Sequence, residues 1–217
     1  MPSLLHDIDV SASVAAKGGE VFTQFNVTIT CPFTREFWAF HKRYSDFYRF
    51  RESLKLILNA ATTPTSLSVR LNELIQTPFP SKHLRPLRNK VMLERALLFQ
   101  YFLVKTIEFR DSCSKLITET PTAAFTAKRY VSLISDFLGI HDVPQIGYEQ
   151  TTPAIMEETC AICLDEFNAE DLVDGTHVVS LPCNHVYHQT CVGQWLRAKK
   201  SCPLCRDPVR QITGLYL

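Results

Sequence analysis

Cysteine and histidine recur at fixed short intervals near the end of this chain, and that pattern limits its fold more than any other feature. The run is Cys160-x2-Cys163, nineteen residues, Cys183-x-His185-x2-His188-x2-Cys191, ten residues, then Cys202-x2-Cys205. Eight thiolate and imidazole donors supply two tetrahedral zinc sites. The two-residue gap lets both thiolates of a pair reach one ion at about 2.3 Å. Six of the eight cysteines lie in the last 58 residues. A piece that short has too little core to be stable alone, and metal binding supplies the difference. Disulfides are the competing use of clustered cysteines, but they belong to oxidising compartments. The start MPSLLHDIDV has neither a basic segment nor an apolar core of signal-peptide length, so secretion is not expected. Packing alone leaves two histidines at ligand spacing unexplained.

The rest of the chain has a different character. Its 217 residues are enough for one large domain or two small ones. Apolar residues at 46% and charged residues at 21% are globular values and argue against general disorder. No apolar run reaches the length of a transmembrane helix. The net charge of +1 argues against a nucleic-acid binder driven by bulk charge. That sum conceals an asymmetry: residues 1–150 carry 18 Lys/Arg and 14 Asp/Glu, whereas residues 151–217 carry 5 and 8. A basic, cysteine-poor body precedes an acidic, cysteine-rich tail.

Periodicity divides the body into strands and then helices. Ile8, Val10, Ala12 and Val14 alternate with polar or small residues, as do Val21, Thr23, Phe25, Val27 and Ile29. Lys17-Gly18-Gly19-Glu20 between them is a turn signal. Glu36–His41 is a third strand candidate. Phe47, Phe50, Leu54, Ile57 and Leu58 then recur at helical spacing, with Ser45 as the expected N-cap. A short helix is expected near Leu67–Ile75, and a long one from Asn89 to about Ile107. The long helix is apolar on most faces (Leu93, Ala96, Leu97, Phe99, Tyr101, Phe102, Leu103), so it is expected to be buried. Ser112–Thr118 and Thr122–Leu138 also read as helices. Gly139, Pro144, Gly147 and Pro153 punctuate a stretch of about twenty residues, near the length at which a structureless loop inside one domain becomes rare. These signals place a first domain at 3–141, a linker at 142–157 and a tail domain at 158–210. The expected class is α+β: a three-stranded antiparallel meander with a helical subdomain, linked to a small zinc-stabilised domain.

From Cys160 to Arg206 the tail resembles the RING finger, in the variant with histidines at its fourth and fifth ligands. All eight positions match. The resemblance implies interleaved ligation, with Cys160, Cys163, His188 and Cys191 on one zinc and Cys183, His185, Cys202 and Cys205 on the other. It also implies a shallow apolar groove for a ubiquitin-conjugating enzyme, formed by Ile162, Trp195, Pro203 and Leu204. Arg206 matches the cation that clamps ubiquitin against that enzyme. The implied activity is RING-type ubiquitin transfer with no covalent intermediate on this chain, and the implied partners are the conjugating enzyme and ubiquitin. The competing reading is a non-catalytic membrane adaptor that uses the zinc-stabilised tail only for protein contacts.

Residues 3–141 resemble the PX (phox homology) domain, on the run Arg43-Tyr44-Ser45-Asp46-Phe47, on Lys82 after Pro78-Phe79-Pro80, and on Arg95 in the long helix. The resemblance implies phosphoinositide binding, most often of phosphatidylinositol 3-phosphate. Arg43 would pair with the 3-phosphate, Tyr44 would pack under the inositol, Lys82 would meet the 1-phosphate, and Arg95 would bond the ring hydroxyls. Leu84 and Leu87, interleaved with Arg85, Arg88 and Lys90, suit a bilayer rim, where each cation contributes about 1 kcal/mol near anionic lipid. A cytoplasmic protein peripheral on endosomal-type membranes is the implied location, and the alternative is a PX fold used for protein contacts. Cys31 and Cys113 read as packing residues. His6, His41, His83, His141 and His177 lack ligand partners at motif spacing. Asp165, Glu166, Glu170, Asp171 and Asp174 read as a solvated loop face, and Tyr216 as a tail residue able to touch ubiquitin.

Overall fold

The computed structural model describes residues 7–58, 65–83, 86–119, 121–140 and 144–217. The chain forms two compact units. The larger takes in Ile8–Ile29 and Trp38–His141, and the smaller takes in Thr30–Phe37 together with Asp142–Leu217. Leu84, Arg85, His6, His141 and the first residues of the expected 3–141 domain lie outside the described residues.

In the larger unit β1 (Asp7–Lys17), β2 (Glu20–Thr30) and β3 (Phe37–Arg43) form a sheet in the order β1-β2-β3. The two residues between β1 and β2 are Gly18 and Gly19, at φ 59° and 81°. A two-residue turn with both φ angles positive requires an antiparallel hairpin, and glycine adopts it without strain. Thr23, Phe25, Val27 and Ile29 are buried along β2, as alternation predicts. Val14 and Val21, toward the turn, are exposed instead.

Four helices follow: α1 (Tyr44–Leu58), α2 (Thr65–Gln76), α3 (Asn89–Glu119) and α4 (Pro121–Leu138). Ser45 is not the N-cap of α1. The helix already includes Tyr44, and the Asp46 carboxylate accepts the backbone N–H of Arg43 at 2.8 Å. The two helices expected at 89–107 and 112–118 are one, since no glycine or proline interrupts them. The expectation that α3 is buried on most faces fails. Leu93, Leu97 and Tyr101 are exposed, and their spacing of four puts them on the stripe opposite Arg95, Phe99 and Phe102. Gly139, at φ 67°, ends α4, and the N–H of Ile140 returns to the Ser135 carbonyl at 3.0 Å.

Aromatic rings fill the core of this unit. Phe47 stacks on Phe99 at 3.8 Å, Phe50 stacks on Phe137 at 4.0 Å, and Phe25 meets Phe99 edge-on at 4.8 Å. Phe99 is therefore shared by β2, α1 and α3, and its truncation opens a cavity among three elements. No helix among the described residues is long and apolar enough to cross a membrane.

The smaller unit corrects the expected linker. Residues 145–150 are a strand, β4 (Gln145–Gln150), and Pro153–Glu157 is a 3-10 helix begun by its proline. β4 pairs in parallel with β7 (Gln211–Tyr216), Ile146 beside Ile212. β7 also pairs with β5 (Val178–Ser180), which pairs with β6 (Val186–His188), giving the order β4-β7-β5-β6. The sheet leads into α5 (Gln189–Ala198). Gly147 and Gly214 are therefore close-packing positions. A Cβ on Gly214 would run into the Gly175 carbonyl and come within 2.8 Å of the Tyr148 ring. Segment Thr30–Phe37 belongs to this unit through Phe33, whose carbonyl accepts from the Gln189 side chain and whose ring lies 6.0 Å from Tyr148.

Two substitutions test this packing. Gly214→Ala should destabilise the smaller unit by about 2 kcal/mol, since neither obstacle is a flexible side-chain end. Phe99→Ala should cost the larger unit about 4 kcal/mol. Denaturant unfolding of zinc-saturated protein measures both, and unchanged midpoints would contradict these contacts.

Candidate functional site

The zinc ligands are delivered by two copies of one small turn. In the first, the Cys160 N–H bonds to the Asp165 carbonyl (2.9 Å) and the Leu164 N–H to the Cys160 carbonyl (2.7 Å). In the second, the Cys202 N–H bonds to Asp207 (2.8 Å) and the Arg206 N–H to Cys202 (3.0 Å). Leu164 and Arg206 hold the same position and the same left-handed backbone, at φ 68° and 64°. Each turn aims two sulfurs to one side. Asn184, at φ 62°, makes the bend that separates Cys183 from His185. β6 carries His185 just before it and His188 at its end, and α5 opens with Cys191 in its first turn.

The eight side chains form two clusters: Cys160, Cys163, His188 and Cys191, and Cys183, His185, Cys202 and Cys205. Within each, the donor atoms all lie within 4.8 Å of one another. This is the interleaved membership that the resemblance implied. Zinc–sulfur bonds of about 2.3 Å and zinc–nitrogen bonds of about 2.0 Å put tetrahedral sulfur and nitrogen about 3.5 Å apart. His188 Nδ1 is 3.3 Å from Cys163 Sγ, and His185 Nδ1 is 3.3 Å from Cys183 Sγ and 3.5 Å from Cys202 Sγ. The donor sets fit two zinc ions, bound through Nδ1 of each histidine. Their role is structural, because four protein donors leave no open coordination position.

Neighbouring groups tune these donors. Asp171 reaches within 3.8 Å of His188 Nε2, the ring nitrogen turned away from the cluster. The Tyr187 hydroxyl, fully buried, sits 3.1 Å from Cys202 Sγ. Burial alone would raise the Cys202 thiol. Hydrogen bonds from that hydroxyl and from the backbone at Cys205 and Leu204 overcome it and lower the thiol to about 6. Cys160 is likewise lowered to about 7, against burial, by the backbone at Cys163 and His188. Burial and the neighbouring sulfurs of Cys163 and Cys160 push Cys191 up to about 12. Sequence reasoning placed Asp171 on a solvated face and did not single out Tyr187. The capping pattern Asn168-x-x-Asp171 was the one signal available for the former.

The surface beside the clusters is apolar and open. Trp195 is 41% exposed, so it is not a core residue, and its Nε1 donates to the Ser201 carbonyl at 2.8 Å. Ile162 and Leu204 are exposed, Pro203 is half-buried, and the Arg206 side chain faces solvent. Leu164, missed in the sequence, adds a further exposed leucine two residues after Ile162.

The larger unit holds a cation-lined cavity. A cavity of about 350 Å³ is lined by Arg43, Tyr44, Lys82 and Arg95, the four residues named from the sequence, and also by Glu20, Phe22, Thr23 and Pro86. The Arg43 guanidinium lies 4.0 Å from the Phe22 ring centre and pairs with Glu20 at 3.3 Å. Arg95 is 3% exposed and lies 4.3 Å over the Tyr44 ring. Its Nη2 donates to the Ser81 carbonyl at 2.9 Å, and its buried Nε has no hydrogen-bond partner among the described residues. Burial lowers its pKa, with Tyr44 and Glu94 opposing. Tyr44 is fixed by its hydroxyl on the Pro80 carbonyl at 2.9 Å, and Thr23 ties β2 to Pro86 at 3.1 Å. Lys82 stands 5.3 Å over Tyr48. Leu87, Arg88 and Lys90 are exposed.

Zinc takes thiolates and neutral imidazoles, so metal and protons compete. Zinc retention is therefore expected to fall on acidification, as protons displace the ion from its thiolates and imidazoles. Release to a chromogenic chelator measures it, and pH-independent retention would contradict the ligand set. Tyr187→Phe removes one hydrogen bond to a bound sulfur and should weaken zinc binding by about tenfold in chelator competition.

The comparisons with known proteins concern the cysteine-rich end. Residues 158–206 match the family model described as "Ring finger domain". Curated relatives include RING finger protein 24 of Homo sapiens, 38% identical over 61 residues, which covers 28% of this chain and 38% of that protein. RING-H2 finger protein ATL5 of Arabidopsis thaliana is 38% identical over 71 residues, covering 33% and 26%. E3 ubiquitin-protein ligase arkadia of Xenopus tropicalis is 47% identical over 58 residues, covering 27% and 6%. The chain spans less than half the length of these relatives. Residues 158–206 are a RING finger of the two-histidine type, built to hold two zinc ions.

Proposed function

We propose that this protein is a RING-type ubiquitin ligase recruited to phosphoinositide-bearing membranes. The observation that carries the first half is that Trp195 on α5, and Ile162, Pro203 and Leu204 on the two turns that hold the zinc, all reach the surface. An indole already fixed by its bond to Ser201 loses little rotamer freedom on docking, which suits a central anchor for a ubiquitin-conjugating enzyme. Arg206 keeps a side chain at a left-handed backbone position where glycine would be unstrained, at about 1 kcal/mol. Its guanidinium can bond two partners at once, here ubiquitin and the conjugating enzyme. The RING supplies no nucleophile. A substrate lysine amine attacks the thioester carbonyl, the conjugating enzyme's thiolate leaves, and the RING contributes by holding the thioester in a near-attack geometry. E3 ubiquitin-protein ligase names among the relatives support this reading.

The second half rests on the cation-lined cavity. Three cations around an aromatic floor suit a phosphorylated inositol, each charge-assisted bond contributing about 1.5–3 kcal/mol. Arg43 would take the 3-phosphate of phosphatidylinositol 3-phosphate, Lys82 the 1-phosphate, and Arg95 the ring hydroxyls above Tyr44. Exposed Leu87 with Arg88 and Lys90 would rest on the bilayer. A catalyst held on endosomal-type membranes meets substrates there at raised local concentration.

Arg206→Ala should slow ubiquitin discharge from the conjugating enzyme at least tenfold, with zinc content and folding unchanged. Full activity of that variant, or none from wild type across many conjugating enzymes, would leave a non-catalytic adaptor. Arg43→Ala should abolish flotation with vesicles containing phosphatidylinositol 3-phosphate. Equal flotation of both proteins, or none by wild type, would count against the lipid pocket.

A further inference from the structure

A carboxylate stands among the cations of the pocket. Glu20, the first residue of β2, lines the same cavity as Arg43, Lys82 and Arg95. Its Oε2 is 3.3 Å from Nη2 and 3.4 Å from Nη1 of Arg43, so one oxygen spans both terminal nitrogens of the guanidinium. Phe22 packs against the same guanidinium, its ring centre 4.0 Å from Cζ. The terminal nitrogens of Arg43 that would meet a phosphate are thus the ones that Glu20 already holds. Neither Asp46 nor Glu94 plays this part: the Asp46 side chain serves the Arg43 backbone and Arg49, and Arg95 turns to Ser81 and Tyr44.

We propose that Glu20 is the selectivity carboxylate of this pocket, occupying Arg43 in place of a phosphate and restricting the ligand to a headgroup with one phosphomonoester. The inference rests on the lipid-pocket reading above. The pair is exposed on both sides, with side-chain exposures of 41% and 67%, and an exposed ion pair is weak and easily displaced. A phosphomonoester outcompetes it, because it brings more charge and more acceptor oxygens to the same fork of donors. Glu20 then remains beside the bound headgroup as a fixed negative charge. The formal charges of Arg43, Lys82 and Arg95 against Glu20 sum to +2. One phosphomonoester, at about −1.5 to −2, and the diester that joins the lipid, at about −1, already outweigh that charge. A second phosphomonoester meets the carboxylate with no cation among the described lining residues left to offset it, and like charges at such range repel. Glu20 thereby acts as a filter by charge rather than by size.

The test compares wild type with Glu20→Gln in the full-length chain, with Asp9→Asn as a control for net charge, since Asp9 is exposed on β1 and outside the cavity lining. Binding is measured to phosphatidylcholine vesicles carrying phosphatidylinositol 3-phosphate or a phosphatidylinositol bisphosphate, and to the soluble inositol phosphate headgroups. Glu20→Gln should bind the monophosphate about fivefold more tightly and gain more than tenfold on the bisphosphate. Asp9→Asn should match wild type. The same gains on soluble headgroups place the effect inside the pocket and support the proposal; gains confined to vesicles, or shared by Asp9→Asn, would assign it to surface charge and overturn it. Wild-type binding with an unchanged or weakened Glu20→Gln refutes the role of Glu20 and leaves the lipid pocket standing. Failure of both proteins to bind any probe refutes the pocket itself.

Discussion

Metal coordination is the constraint on which the C-terminal part of this protein depends. His185 and His188 sit three residues apart on and beside one short strand, yet belong to different clusters. The strand is thereby tied at both ends, and neither centre can shift without moving the other. α5 begins immediately after His188, so the same ligation fixes the helix that presents Trp195. The last paired cysteines fix Pro203, Leu204 and Arg206 in the same way. A piece this small cannot hold such an exposed apolar surface by hydrophobic burial, because the residues that would form a larger core are the ones displayed. Two clusters of thiolate and imidazole take over that task.

In the larger unit the organising interaction is aromatic. Phe99 lies between Phe25 and Phe47, and Tyr44 and Arg95 occupy neighbouring positions on the same two helices. The floor of the cation-lined cavity is therefore rooted in the core. Arg95 is held there at a desolvation cost, with the Ser81 carbonyl and the Tyr44 ring in compensation and its Nε without a hydrogen bond among the described residues. A buried cation kept this way is weak evidence of stability and stronger evidence of a ligand site.

Local patterns were legible and distant ones were not. The zinc ligands announce themselves because their chemistry dictates their spacing. The hairpin turn at Gly18-Gly19 and the period of α1 were equally plain. β4 was not, because Pro144, Gly147 and Pro153 resemble linker punctuation while its partner β7 lies more than sixty residues later. Only that pairing explains why Gly147 is small. The exposed stripe of Leu93, Leu97 and Tyr101 was misread for a similar reason: composition cannot tell which side of a helix its neighbours cover. Arg43, Tyr44, Lys82 and Arg95 were named through resemblance, and they line one cavity. Glu20 escaped notice because it reaches Arg43 across the sheet from a turn that reads as punctuation alone.

The account stands or falls on the metal content of the cysteine-rich end. Elemental analysis of the purified native chain, without added zinc, should find two zinc ions per polypeptide. A chain that is folded and contains one zinc, or none, would contradict it.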